Sequence, residues 1–210
     1  MAVRNLDSGV ACMIGVTGVV LAGGDSSRFP VDKGLISVGG ERIIDRTLGL
    51  FREMFTEVIV STNRPEHYFL TGARLIGDVF PDKGPMGGIF SALLNAAADR
   101  IFVAACDMPF LNPALINHLV RAAPRADVVV CSFGGSVHPL FGVYGRSVLG
   151  SIEDHLRKGL TGLRRFVADC GALVIGEEEV KKIDPEGASF VNINTVGDFN
   201  KFIGGRICLG

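Results

Sequence analysis

Short runs dense in β-branched and apolar residues recur at Val16–Leu21, Val58–Ser61, Arg74–Ile76, Ile101–Ala105 and Val128–Cys131, each bounded by Gly, Pro, Asp or Asn. Runs of this length and composition predict buried strands. Between them the apolar period lengthens to that of a helix. Ile43, Ile44, Thr47, Leu48, Phe51 and Phe55 share one face, and Ile89, Leu93 and Leu94 do so between Met86 and Ala98. Asn112 followed by Pro113 supplies an N-cap and first-turn pair for a helix running to Val120. The last third is less regular. It predicts a strand at Leu140–Tyr144, helices near Val148–Arg157 and Leu163–Val167, a strand at Phe190–Ile193 and a final helix from Asp198, with the acidic run Glu177-Glu178-Glu179 as a solvated turn.

Strands alternating with helices imply an α/β fold whose sheet is mostly parallel, with right-handed crossovers. A chain of 210 residues can bury most of its apolar surface in one core, and no linker divides it. The expected organisation is a single domain over 13–203, a flexible amino-terminal extension over 1–12 and a carboxyl-terminal tail over 204–210. A start at Met13 would place the first strand almost at the terminus and leave 1–12 as a mobile extension or a misassigned start.

Composition narrows the function classes. The formal charge of −1, from 21 basic and 22 acidic residues, gives no global field to attract nucleic acid or an anionic membrane, so neither is an expected partner. No apolar run is long enough to cross a bilayer. The apolar stretch Val10–Leu21 follows Asp7 and is broken by Gly15 and Gly18, which does not fit a signal peptide. The five cysteines (Cys12, Cys106, Cys131, Cys170 and Cys208) have no CxxC spacing and an odd count, which fits a reducing cytoplasm. Neither they nor His67, His118, His138 and His155 show the spacing of a zinc site. Cys106, Cys131 and Cys170 adjoin apolar runs and read as small buried hydrophobes.

In sheets of this kind ligands sit outside the carboxyl ends of the strands. The first such loop reads Leu21-Ala22-Gly23-Gly24-Asp25-Ser26-Ser27-Arg28 and continues to Asp32-Lys33. Glycines there let backbone N–H groups approach an anion closely, and Arg28 and Lys33 add positive charge for a phosphate chain. The spacing fits neither a GxxxxGKS/T phosphate loop nor a GxGxxG dinucleotide fingerprint. A plain tight turn with two solvated cations is the bland alternative.

The segment from Leu21 to Leu35 resembles the LAGGxSxRxGxDK signature of nucleotidyltransferases, in particular the molybdenum cofactor guanylyltransferases. Three later segments agree in order and spacing: Ile76-Gly77-Asp78, Gly84-Pro85-Met86-Gly87-Gly88-Ile89 and Cys106-Asp107-Met108-Pro109-Phe110. The resemblance continues through His138-Pro139-Leu140 and Asn192-Ile193-Asn194-Thr195, covering the chain from Ile14 to about Phe202. One departure lies in the loop itself. Where the family usually has glycine, Phe29 precedes Pro30, and proline removes an amide donor.

The resemblance implies a three-layer α/β/α sandwich, Rossmann-like, of the nucleotide-diphospho-sugar transferase type. It implies transfer of GMP from GTP to the phosphate of molybdopterin or its molybdenum-loaded form, with release of pyrophosphate. Arg28, Lys33 and Asp107 become the catalytic residues, and Asp107 the ligand of Mg²⁺, a role its carboxylate can fill at a strand end. Leu21, Ala22, Gly23, Gly24, Lys33, Asn63, Asp78 and Asp107 become nucleotide contacts, and Asn192 and Asn194 acceptor contacts. For Asn63 a turn-capping role before Pro65 stands level, and the family often has asparagine at the position of Ser61. The glycines at 84–88 serve equally for close helix-to-sheet packing. His138 reads as a packed loop residue. Transient contact with the molybdoenzymes that receive the product is also implied. The alternatives are a sister enzyme using CTP, or another small phosphorylated acceptor, and a catalytically weak GTP-binding module in cofactor delivery. A nicotinamide oxidoreductase rests only on the alternating architecture.

Overall fold

The computed structural model describes residues 3–5, 11–13, 15–23 and 33–193. In chain order the strands and helices are β1 (Val3–Asn5), β2 (Ala11–Met13), β3 (Thr17–Leu21), β4 (Ser37–Val38), β5 (Glu41–Arg42), α1 (Ile43–Met54), β6 (Val58–Ser61), β7 (Arg74–Ile76), α2 (Gly84–Asn95), β8 (Arg100–Ala105), α3 (Pro113–Ala122), β9 (Val128–Phe133), β10 (Ser136–Gly145), α4 (Leu149–Arg157), α5 (Leu163–Asp169), β11 (Leu173–Ile175) and α6 (Glu177–Lys181). Seven strands form one sheet in the order β11-β9-β10-β8-β3-β6-β7. β10 runs antiparallel to both its neighbours, and the other pairings are parallel. β1 and β2 pair separately, Val3 opposite Met13, and β4 and β5 form a second short ribbon.

Side-chain alternation along each central strand divides the core between the two faces of the sheet. Val20 of β3, Phe102 and Ala104 of β8, and Val129 and Cys131 of β9 meet the apolar faces of α1 and α3. Val19, Leu21, Ile101, Val103, Val128 and Val130 point the other way, into a cluster with α2, α4 and α5. Helices on both faces of a mostly parallel sheet make the three-layer sandwich that the resemblance implies. A close approach of helix to strand occurs at Gly18 on β3, where a Cβ would stand 2.5 Å from a ring carbon of Phe55 and 2.9 Å from one of Phe51. The missing side chain lets Phe51, Phe55 and Phe102 pack as a mutually contacting trio over the strand, with ring centroids 5.2–5.9 Å apart.

The strands at 58–61 and 74–76 have the expected bounds, and the others differ mainly in length. β10 extends to ten residues because its first half, with Ser136 and His138, pairs with β9 across a bulge and carries polar residues that a hydrophobic scan passes over. Two segments differ in kind. Residues 190–193 are not a strand. Ala188–Phe190 forms a single 3-10 turn, whose amides at Ala188 and Ser189 donate to the buried Asp184 carboxylate at 3.0 and 2.9 Å. The acidic run at 177–179 is not a turn but the first turn of α6, where carboxylates complement the helix dipole and Glu177 pairs with Lys181 at 2.8 Å. The expected helix from Asp198 and the tail over 204–210 lie outside the described residues. Among the described residues, no helix is long and apolar enough to cross a membrane.

The Asn112-Pro113 start behaves as its chemistry requires. Asn112 Oδ1 accepts from the amides of Ala114 (2.9 Å) and Leu115 (3.3 Å), while Nδ2 donates to the carbonyl of Ile183 at 3.1 Å. The cap therefore also ties α3 to the segment after α6. Asn112→Ala is expected to lower stability by about 1–2 kcal/mol, read as a fall in the urea midpoint at unchanged slope. A midpoint equal to wild type would show that neither cap nor tie contributes.

Candidate functional site

Four adjacent parallel strands, β8, β3, β6 and β7, end at the same edge of the sheet, and their hydrogen-bond ladder continues past them. The amide of Cys106 donates to the carbonyl of Leu21 (3.0 Å), that of Ala22 to Ser61 (2.8 Å) and that of Thr62 to Ile76 (2.8 Å). These bonds hold the loops after the four strands side by side. They line up Asp107, Ala22-Gly23, Thr62-Asn63 and Gly77-Asp78 along one edge. The turn over Lys33–Leu35 joins the row through Gly34, whose added Cβ would meet the Tyr68 hydroxyl at 2.9 Å and Cys106 Cβ at 3.4 Å.

A cavity of about 470 Å³ opens along this edge. Its lining includes Leu21, Ala22 and Gly23, and also Asn63 and Asp78. The volume lies within the range of small-molecule sites. At its centre Asn63 and Asp78 lock each other in place. Asn63 Nδ2 donates to Asp78 Oδ2 at 2.8 Å, and the Asp78 amide donates to Asn63 Oδ1 at 2.9 Å. The Ser61 hydroxyl donates a further hydrogen bond to the Asp78 carboxylate. Burial pushes the Asp78 carboxyl above its ordinary value; the hydrogen bonds from Asn63 and Ser61 oppose this, and the charge of Asp82 adds to it.

Helix α2 closes the cavity because two glycines let it come close. A Cβ on Gly88 would stand 3.0 Å from Leu21 Cδ2 and 3.1 Å from Ser61 Oγ, and one on Gly87 would stand 3.0 Å from the Phe80 carbonyl. No side chain caps the start of α2, so its first-turn amides and positive dipole end remain available beside the cavity.

The expected residues thus fall into three sets. Leu21, Ala22, Gly23, Asn63 and Asp78 converge on the cavity. Asp107 is half-buried at the same edge, at the end of β8, and does not line the cavity. Its carbonyl accepts from the Ile193 amide at 2.9 Å, which brings the Asn192 segment beside it, although Asn192 Nδ2 itself donates to the Phe190 carbonyl at 3.4 Å. Gly24, Arg28 and Asn194 lie outside the described residues, and Lys33 is described in its backbone alone. Sequence reasoning passed over Arg64 and Asp82, which also line the cavity. A retrospective signal for Asp82 is its place between Pro81 and Gly84-Pro85, where a sharp turn must precede the helix.

The remaining candidates are structural. His138 lies half-buried with its ring 4.3 Å from that of Phe190, and its Nε2 is 3.1 Å from the Phe133 carbonyl. Burial is the main influence lowering its pKa. Cys131 is fully buried, and burial pushes its thiol up to about 12, which leaves no thiolate for chemistry. Among the described residues no group of three or more His, Cys, Asp or Glu side chains could hold a metal.

The arrangement suits a flat, hydrogen-bonding ligand held at the carboxylate of Asp78, with an anionic portion extending towards the glycine loop. Comparison with known proteins agrees. Residues 18–175 match the MobA-like NTP transferase domain. A probable molybdenum cofactor guanylyltransferase of Pelotomaculum thermopropionicum is 35% identical over 189 residues, covering 90% of this chain and 92% of that one. The molybdenum cofactor guanylyltransferase of Syntrophotalea carbinolica is 32% identical over 186 residues, covering 88% and 89%. Among solved structures, molybdopterin-guanine dinucleotide biosynthesis protein A of Archaeoglobus fulgidus superposes with a TM-score of 0.79 at 24% identity, covering 90% of this chain and 97% of that one, which speaks to the fold. The chain belongs to the MobA-like NTP transferase family, among the molybdenum cofactor guanylyltransferases.

Proposed function

We propose that the protein transfers GMP from GTP to the terminal phosphate of molybdopterin, or of its molybdenum-loaded form, to give the guanine dinucleotide cofactor and pyrophosphate. The observation that carries this reading is the Asn63–Asp78–Ser61 cluster in a cavity that begins at the glycine loop. A carboxylate fixed in this way can accept from the N1–H donor of guanine.

In the reaction an oxygen of the acceptor phosphate attacks the α-phosphorus of GTP in line. The bond from the α-phosphorus to the bridging oxygen breaks, and pyrophosphate leaves with that electron pair. No covalent enzyme intermediate is needed, so the protein's work is to align two anions and offset their repulsion. The backbone amides of the glycine loop and the charges of Arg28 and Lys33 stabilise the leaving group. Asp107 is half-buried at the strand end, and its carbonyl accepts from the Ile193 amide, next in the chain to Asn192. Its hard oxygen donors fit a magnesium ion, which when bound neutralises triphosphate charge. Asn192 and Asn194 serve the acceptor.

Asp107→Ala is expected to lower kcat for pyrophosphate release by roughly 10²–10³-fold at near-normal thermal stability; unimpaired release would remove Asp107 from the mechanism. Lys33→Ala should lower kcat and also raise the KM for GTP, whereas a KM equal to wild type would leave Lys33 outside the nucleotide site.

Asp78 adds a pH dependence. Its carboxyl titrates above the ordinary aspartate value of 3.8, so GTP affinity should fall, as pH is lowered, earlier than an ordinary aspartate would allow. The same shift means that stability rises as pH falls from the raised value towards the ordinary one, because the folded state binds more protons there. Ionisation of Asp78 therefore works against folding stability. Asp78→Asn should remove this step from the GTP affinity profile while the thermal midpoint falls by no more than about 2 °C. An acid step retained in Asp78→Asn would assign it to another group.

A further inference from the structure

Asp82 is the only non-glycine residue with positive φ among the described residues, at 58°. It lines the cavity with Asp78, and its charge is near enough to push up the Asp78 carboxyl. Their surroundings differ. The Asp78 carboxylate already accepts hydrogen bonds from Asn63 and Ser61. The Asp82 side chain is exposed, and no hydrogen bond or ion pair from it is found among the described residues. An ionised carboxylate offers about four acceptor positions. A second one that no described residue engages, in a cavity that already holds a committed carboxylate, matches a ligand presenting two adjacent donor groups.

Guanine presents such a pair, N1–H and the 2-amino group. Cytosine has one amino group, and its neighbouring ring nitrogen and carbonyl oxygen are acceptors, which a carboxylate repels. We propose that Asp82 is a specificity-determining residue that accepts a hydrogen bond from the 2-amino group of guanine, leaving N1–H to Asp78. This rests on the reading of the cavity as the guanine site. The backbone fits the role. The turn 81–84 needs a left-handed conformation at 82, glycine would meet it without steric cost, and aspartate is among the few other residues that tolerate it. A plain turn residue at this position need not carry charge into the cavity.

The test removes one partner from each side. Inosine triphosphate is GTP without the 2-amino group, and Asp82→Gly removes the carboxylate while keeping the backbone conformation. Dissociation constants for GTP, inosine triphosphate and CTP are measured by calorimetry on the full chain. Wild type should bind GTP roughly tenfold more tightly than inosine triphosphate. Asp82→Gly should bind inosine triphosphate as wild type does and GTP no better, so that the ratio falls close to one. Asp82→Asn, which keeps an acceptor but loses the charge, should fall between them. The thermal midpoint of Asp82→Gly should not be lower than that of wild type.

An unchanged GTP preference in Asp82→Gly overturns the inference, as does an equal weakening of both purine nucleotides or a wild-type protein that does not distinguish them. If wild type instead prefers CTP or binds no GTP, the guanylyltransferase reading fails and this inference with it. A wild type that prefers GTP to CTP beside an Asp82→Gly that keeps the GTP preference sinks the Asp82 assignment alone.

Discussion

The site depends on the parallel register of β8, β3, β6 and β7 and on the hydrogen bonds that carry it beyond the strands. Cys106 to Leu21, Ala22 to Ser61 and Thr62 to Ile76 are backbone bonds, so they do not depend on side-chain identity. They fix the spacing between the glycine loop, Asp78 and Asp107 to that of neighbouring strands, roughly 4.8 Å per step. Helix α2 can lie against this row only because Gly87 and Gly88 carry no side chain. Core packing supplies the rigidity. Val19 and Leu21 anchor one face of β3 and Val20 the other, while Gly18 admits the two phenylalanines of α1 and its cap.

On that frame the cavity brings together two carboxylates, Asp78 and Asp82, and the Arg64 guanidinium. Asp78 is half-buried, so its ionised form carries a cost that two side-chain donors only partly offset, and Asp82 takes a conformation that glycine would hold more easily. Both features carry a cost in stability without returning a packing contact. On the proposed reading a nucleobase with adjacent donors would partner both carboxylates.

Much of this frame was legible in the sequence, for reasons visible in particular residues. The runs at 58–61 and 74–76 are short, apolar and bounded by turn residues, and Asn112-Pro113 carries its own capping chemistry. The site was less so. Leu21 to Lys33 announces a phosphate loop by composition, but Asp78 and Asp107 are ordinary strand-end aspartates until the family resemblance singles them out. Asp82 and Arg64 reach the cavity through loop geometry, which no local period encodes. Phe190–Ile193 reads as a strand by alternation, yet its backbone is claimed by other partners. The amide of Phe190 donates to Gly187, that of Val191 to Ala188 and that of Ile193 to Asp107, so no ladder forms. The acidic run at 177–179 misleads in the opposite direction, since three carboxylates that look like a solvated turn are favoured at a helix start.

The central claim joins a guanine-reading cavity to a phosphoryl-transfer edge on one sheet. The most direct measurement is pyrophosphate release by the purified protein with molybdopterin and magnesium, comparing GTP, CTP, ATP and UTP side by side. The account predicts release with GTP that requires molybdopterin and little with the other three. Release driven equally by CTP, or GTP binding without any release, would contradict it.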